Sequence, residues 1–370
     1  MNKIKIVILV RILWSAGAQK IAINEAIELR KQGHDVDLIF LRRGKTWKAY
    51  EELLSNTNYR VISEGKSSIF TGLYSFITGL FMKDRKGEGR IDFDLLRKFP
   101  KFIENSMPDK VICHDEWAGI AGHYAKKKLK IPYEVFLHER LGKLKVPIFG
   151  KMAERYRIRI LKNATRVYSV TAKIANDTIQ RFGINVLPDP PGFEFLGETD
   201  PSHKLTRIVS VSMWDKGRNP FFFIELEKYI EDYEILLLGN WRDNDYYESF
   251  IRSIPKNSKI RIRTNITESE KSSLIRESKF LVRFGDMEFG PAIAVIESIS
   301  CGTPVIINTG LGTADMIRKH NAGFVLDSPD PEAVANIVRN ANGESYEQLL
   351  KNVYELRRIW TWKDHVEKLL

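Results

Sequence analysis

The stretch KFLVRFGDMEFGPAIAVIESISCGTPVIIN, Lys279 to Asn308, holds two apolar runs of strand length on either side of one run with helical period. KFLVRFG reads as a short buried strand, and Pro291 suits the first position of a helix, where its missing N–H costs nothing. The helix is expected to run to about Ser300, Gly302 to take the left-handed conformation that ends it, and TPVIIN to form the next parallel strand. Units of this kind bind ligands outside the carboxyl ends of their strands, where helix N–H groups and the helix dipole attract phosphate. Glu288 falls in the loop of the unit and Glu297 in its helix. A carboxylate offers two acceptor oxygens to a vicinal diol, so sugar and ribose hydroxyl pairs suit it. Taken alone, the same acids also fit a solvated loop and the polar turn of a half-exposed helix.

The alternation continues through the chain. In the first half, KIKIVILV, DVDLIFL, DKVICHD, YEVFLHE and RVYSVT read as strands. SAGAQKIAINEAIELRKQGH, AGIAGHYAKKKLK and AKIANDTIQRFG read as the helices that join them, which is the pattern of a parallel sheet with crossovers. A stretch dense in Pro, Gly and Asp, LPDPPGFEFLGETDPSHK (Leu187 to Lys204), is the candidate hinge. Strands and helices then restart with RIVSVSMW, YEILLLGNW and KIRIRTN. The class is α/β, with two Rossmann-like parallel-sheet domains facing each other across a cleft. The closing segment SYEQLLKNVYELRRIWTWKDHVEKLL is helical in period and is expected to return to the first domain.

A chain of 370 residues has room for two cores. Its 43% hydrophobic and 28% charged content is that of a folded soluble protein rather than a disordered one. A net charge of +11 favours acidic partners, among them nucleotide diphosphates, anionic lipid surfaces and nucleic acid. Two distant cysteines, Cys113 and Cys301, exclude a disulfide framework and favour a reducing compartment. The basic, apolar start MNKIKIVILVRILWSAGAQ runs into a loop and helix pattern without a small-residue cleavage site, so it reads as a strand rather than a secretory leader. No window reaches eighteen uninterrupted apolar residues, and the expected location is the cytoplasm.

EFGPAIAVIESISCGTPVI resembles the C-domain signature of retaining, GT-B-fold glycosyltransferases of the GT4 class (glycosyl transferases group 1). That signature is two glutamates separated by seven residues and followed by Ala-Cys-Gly-Thr-Pro-Val-Ile. WSAGAQKIAINEAIELRKQGHDV is similar to the family's first loop and helix. VICHDEWAGIAGHYAKKKLKIPYEVFLHE, VYSVTAKIANDTIQRFGINVLPDPPGF, FLVRFGDMEFG and WTWKDHVEKLL resemble its later segments, in order along nearly the whole chain. Three departures stand out. Eight residues, not seven, separate Glu288 from Glu297, so the loop near Gly290, Pro291 and Ala292 must bulge or the first acid is displaced. Met213 stands where the family usually has an arginine that reaches the diphosphate. Ala16 replaces a glycine in the first loop and leaves Gly17.

The resemblance implies an N-terminal acceptor-binding domain over residues 1–190, completed by a returning helix at 350–370, and a nucleotide-sugar-binding domain over 200–349. It implies transfer of a hexose from a UDP- or GDP-sugar to a hydroxyl of a glycan or lipid-linked acceptor, with retention at the anomeric carbon and with no cofactor. With no convincing Asp-x-Asp pair, the reaction is read as metal-independent. Arg218 or Lys216, with backbone N–H groups of Phe289 and Gly290, then balance the leaving diphosphate. Glu297 is expected on the ribose hydroxyls, Glu288 on the donor hexose, Gly17 at the donor-facing helix start and His138 beside the transferred sugar. His114 is a weaker candidate, and Asp115 and Glu116 are expected as loop acids. The stripe Phe70, Leu73 and Tyr74, followed by Lys83 and Arg85, has the spacing of an apolar helix face beside a basic cluster. It fits either the acceptor and an anionic membrane surface, contacted peripherally on the cytoplasmic side, or a helix buried in its own domain. KMAERYRIRILKN is a second basic segment that would extend a positive surface or form a solvated helix face. A sugar-nucleotide epimerase on the same fold and a non-catalytic sugar-nucleotide-binding protein remain as alternatives. A dinucleotide oxidoreductase is disfavoured by the lack of Gly-x-Gly-x-x-Gly, and nucleic-acid binding is not expected, since charge alone would support it.

Overall fold

The apolar runs pair into two parallel sheets, seen in a computed structural model that describes residues 3–64, 93–142, 150–196 and 200–370. Contacts divide the chain into one unit of Met1–Thr46 with Leu54–Pro190 and another of Trp47–Leu53 with Pro191–Leu370.

In the first unit the strands are β1 (Lys5–Leu13), β2 (Asp35–Arg43), β3 (Tyr59–Ser63), β4 (Lys110–His114), β5 (Tyr133–Leu137), β6 (Arg166–Ser169) and β7 (Leu187–Pro188). They lie in the order β3-β2-β1-β4-β5-β6-β7. Ile6, Val7, Ile8 and Leu9 of β1 are fully buried, because helices cover both faces of a central parallel strand. Each such side chain contributes roughly 1.5–3 kcal/mol on leaving water. The chain winds outward from β1 in one direction and from β4 in the other, so the crevice for a ligand opens at the carboxyl ends of those two strands.

The second unit repeats this plan with β8 (Leu205–Val211), β9 (Glu234–Leu238), β10 (Ile260–Arg263), β11 (Ser278–Arg283), β12 (Val305–Asn308) and β13 (Gly323–Leu326). Their order is β10-β9-β8-β11-β12-β13, which puts the reversal between β8 and β11. Side-chain alternation divides the core between the two faces of the sheet. Val209, Leu281 and Ile307 pack on one side, and Ile208, Phe280, Val282 and Ile306 on the other.

Two local expectations change. The helix after β11 spans Ile293–Ser300 and leaves Pro291 outside it. Ala292, at the position before the helix, is left-handed with φ 46°, and Met287 is also left-handed, with φ 48°. Gly302 ends this segment with φ 74°, as the sequence suggested. The closing segment is two helices, Gly343–Ile359 and Trp362–Glu367, because Thr361 and Asp364 form a capping box that starts the second. At that break the Phe193 N–H donates to the Trp360 carbonyl at 2.9 Å. A Cβ on Gly192 would lie 2.3 Å from the Trp362 nitrogen, so glycine is required for this approach. Among the described residues no helix is long and apolar enough to cross a membrane.

Candidate active site

In the second unit the candidate groups gather where β8 and β11 end. Gly239, just after β9, has φ 116°, and a Cβ there would lie 1.9 Å from the Ser212 carbonyl oxygen. The close approach lets the loop after β8 bond to its neighbour. The Trp214 N–H donates to the Asn240 carbonyl at 2.8 Å, and its indole N–H donates to the Leu238 carbonyl at 3.0 Å. The loop then makes a single turn over Lys216–Arg218, capped by Asp215, whose Oδ1 accepts from the Arg218 N–H at 3.1 Å. This geometry separates the two cations that the sequence left open. Lys216 is exposed, whereas the Arg218 guanidinium is half-buried and grips Glu288 with both terminal nitrogens, Nη2 to Oε1 at 3.0 Å.

Glu288 is held from a second side. Arg283, the last residue of β11, donates from Nη2 to Glu288 Oε2 at 2.9 Å and from Nη1 to the Phe284 carbonyl. Arg283 is 6% exposed. Burial brings its guanidinium down to about 10, against the pull of Glu288 in the other direction. Ser210, Ser212, Trp214, Arg218, Arg283 and Gly285 line one hollow. The loop that carries Glu288 is clasped at both ends. Asn308 accepts from the Gly285 N–H at 3.1 Å and donates to the Gly285 carbonyl at 3.2 Å, and the Gly312 N–H donates to the Gly290 carbonyl at 3.1 Å. A Cβ on Gly312 would lie 2.1 Å from the Phe289 carbonyl oxygen, so the clasp depends on glycine there.

Glu297 sits in the helix beyond this loop with its side chain 10% exposed. Lys271, from the helix Glu268–Glu277, donates to Glu297 Oε1 at 2.9 Å and lies 2.9 Å from Glu268. The bond fixes the direction of the carboxylate.

In the first unit Gly17 opens the helix Gly17–Lys31 directly after β1. Glu25, on the apolar face of that helix with Ile21 and Leu29, is fully buried. Its Oε2 lies 2.8 Å from Nε2 of His114 at the end of β4, and Nδ1 of His114 lies 2.8 Å from Nε2 of His138, just past β5. An ionised Glu25 only accepts, which has His114 donate to it from Nε2 and accept at Nδ1 from the His138 Nε2–H. The two imidazoles stack at 5.0 Å, and Phe136 backs both of them. Asp115, with φ 91°, accepts from Arg11 Nε at 2.7 Å and from the Ala118 N–H at 2.7 Å. Glu116 lies in the loop after β4 with its side chain largely enclosed. Burial raises its carboxyl above the usual range, and Arg157, 2% exposed, lies 3.5 Å away. That buried arginine also means that KMAERYRIRILKN does not form a fully solvated face.

The structure therefore brings Arg218 to Glu288 and His138 to His114, and it adds three residues that sequence reasoning passed over. Each had a signal. Arg283 interrupts an apolar strand, Glu25 shares a helix face with Ile21 and Leu29, and Lys271 shares one with Ile275. Phe70, Leu73, Tyr74, Lys83 and Arg85 lie outside the described residues.

Residues 15–190 match the profile of Glycosyltransferase Family 4, and residues 198–355 match that of Glycosyl transferases group 1. The chain belongs to the GT4 family of glycosyltransferases. No curated protein sequence matches it significantly. Among solved structures it is similar to HepE from Anabaena, crystallised with UDP, at 15% identity over 99% of this chain and 98% of that one, with a TM-score of 0.76. It is also similar to a glycosyltransferase from Rickettsia africae, at 15% identity over 100% and 97% of the two chains and a TM-score of 0.71. For sucrose-phosphate synthase from Thermosynechococcus elongatus the figures are 14%, 98% and 96%, and 0.72. These likenesses establish the GT-B fold for this glycosyltransferase.

Proposed function

We propose that this GT4 glycosyltransferase moves a hexose from a UDP- or GDP-sugar to a hydroxyl of a glycan or lipid-linked acceptor, with retention and without a metal ion. The observation that carries the reading is Arg218 bound to Glu288 by both arms beside a hollow at the β8–β11 reversal. A planar guanidinium fork suits a diphosphate as it suits a carboxylate, so Arg218 balances the charge that gathers on the leaving group. Donation by fixed side chains and by the amides of Phe289 and Gly290 performs the electrostatic work a divalent ion performs elsewhere. Lys271 aims Glu297 at the ribose hydroxyls, while Glu288 reads the hexose. In the first unit the candidate residues are Gly17 and His138, with Glu25 and His114 setting the orientation of His138.

Support for the donor class comes from HepE, solved with UDP-glucose. WaaG, solved as a glycosyltransferase of lipopolysaccharide biosynthesis, shares the fold with a TM-score of 0.64 and makes a lipid-linked acceptor a reasonable class to test first. Purified protein should be incubated with UDP-glucose, then with other UDP- and GDP-hexoses, in the presence of EDTA and a panel of glycan and lipid-linked acceptors. Acceptor-dependent donor consumption, with an anomeric NMR signal of the same configuration as in the donor, is the expected outcome. Inversion, or consumption only with added magnesium, would refute the corresponding part of the reading.

A further inference from the structure

We infer that Arg283 is the second cation of the diphosphate subsite, supplying from β11 the charge that Met213 does not supply from the loop after β8, and that the diphosphate binds by replacing Glu288 on both arginines. This deepens the donor reading above and rests on it.

Topology comes first. β11 lies next to β8, with Leu281 opposite Val209, so two residues further along Arg283 stands level with Val211. A cation at the end of β11 is thus delivered to the same end of the sheet as one in the loop that follows β8. Arg283 and Arg218 line the same hollow and share one carboxylate.

Burial then fixes what Arg283 requires. A guanidinium that is 6% exposed is costly without an anion, and Glu288 provides one. If Glu288 turned to hexose hydroxyls with nothing in its place, the acids left near the two arginines would include Asp215, which already caps the Arg218 turn and pairs with Arg242, and the exposed Asp286. A nucleoside diphosphate sugar provides a replacement, since each of its two phosphoryl groups carries a negative charge and presents oxygens to a guanidinium fork. Two cations then face two anionic phosphoryl groups, and Glu288 is released next to the sugar. The loop allows the exchange without reorganising its anchors, because these hold Gly285 and Gly290 by backbone groups and leave the Glu288 side chain out of the clasp.

The test compares UDP with UMP, and GDP with GMP, by titration calorimetry. The ratio of monophosphate to diphosphate Kd isolates the terminal phosphoryl contact. In R283M that ratio should fall about tenfold or more, the loss expected for a hydrogen bond between charged partners. UMP or GMP affinity should move little, and M213R in the R283M background should restore part of the loss. E288Q, which keeps both arginines and the side chain's shape, should bind the diphosphate several-fold more tightly, because a neutral amide competes poorly for guanidinium. That arm remains decisive if R283M fails to fold. Wild-type protein that binds none of these nucleotides would defeat the donor reading and this inference together. Wild-type binding with an unchanged ratio in folded R283M, or with unchanged or weaker diphosphate binding in E288Q, would overturn the inference and leave the donor reading standing.

Discussion

Lys204 offers a measurement of the fold that is independent of catalysis. It stands immediately before β8, and its ammonium end is enclosed, donating to the Arg276 carbonyl and to Thr303 Oγ1, both at 2.7 Å. Thr303 Oγ1 spends its own hydrogen on the Ile275 carbonyl at 2.8 Å, so toward Lys204 it is an acceptor. A neutral amine has two hydrogens for these two acceptors, and the charged form carries a third that no carboxylate among the described residues meets. Burial accordingly brings the amine down to about 7 from an ordinary 10.5. A base depressed in the folded state is charged more often in the unfolded chain, so stability rises with pH between those values. Each pH unit contributes about 1.4 kcal/mol, or about 2 kcal/mol between about pH 8 and about pH 9.5. Urea unfolding of wild type and K204M across that window measures the difference directly. K204M should lack this slope, so that wild type gains about 2 kcal/mol relative to it as pH rises across that window. Parallel stability curves would show that Lys204 is charged in the native protein and would refute the reasoning.

R218A should lower kcat/KM about a hundredfold with little change in urea stability, since it removes a donor aimed at the leaving group; steady-state kinetics checks this. E297A should weaken UDP binding about tenfold and leave the affinity of a dideoxyribose analogue unchanged, a contrast that calorimetry reads and that a merely structural glutamate would not give. E25L should cost about 1–3 kcal/mol in urea, because it strands a buried imidazole N–H. Its loss of turnover should not add to that of H138A if the three groups act as one unit. G312A should destabilise by about 1–3 kcal/mol and weaken UDP binding, because its Cβ would press on the Phe289 carbonyl that shapes the loop.

Much of this was legible in the residues because period and burial agree. The apolar run IVILV, Ile6 to Val10, reads as a buried strand, and the Cys-Gly-Thr-Pro turn separates a helix from a strand. Edge elements were harder. β3, with the sequence YRVIS, has no fully buried residue, so its pattern carries little signal. β13 is formed by GFVL, four residues that are all half-buried and lack alternation. The site was legible by position and not by partner. Glu288 and Arg218 could each be placed near the strand ends, but a contact across 70 residues of chain leaves no trace in spacing. The same holds for Glu25, which meets a histidine 89 residues away. Pro291 misled because its fit to a helix start takes no account of Ala292, whose left-handed backbone holds the helix off until Ile293.

The most direct test of the whole account is the melting temperature of the wild-type protein with UDP and with GDP, in EDTA and again in magnesium. Binding only to the folded state raises it. The account predicts that at least one of the two nucleotides gives the same upward shift in both buffers, since arginines and not a metal hold the diphosphate. No shift with either nucleotide, or a shift that appears only when magnesium is added, would contradict it.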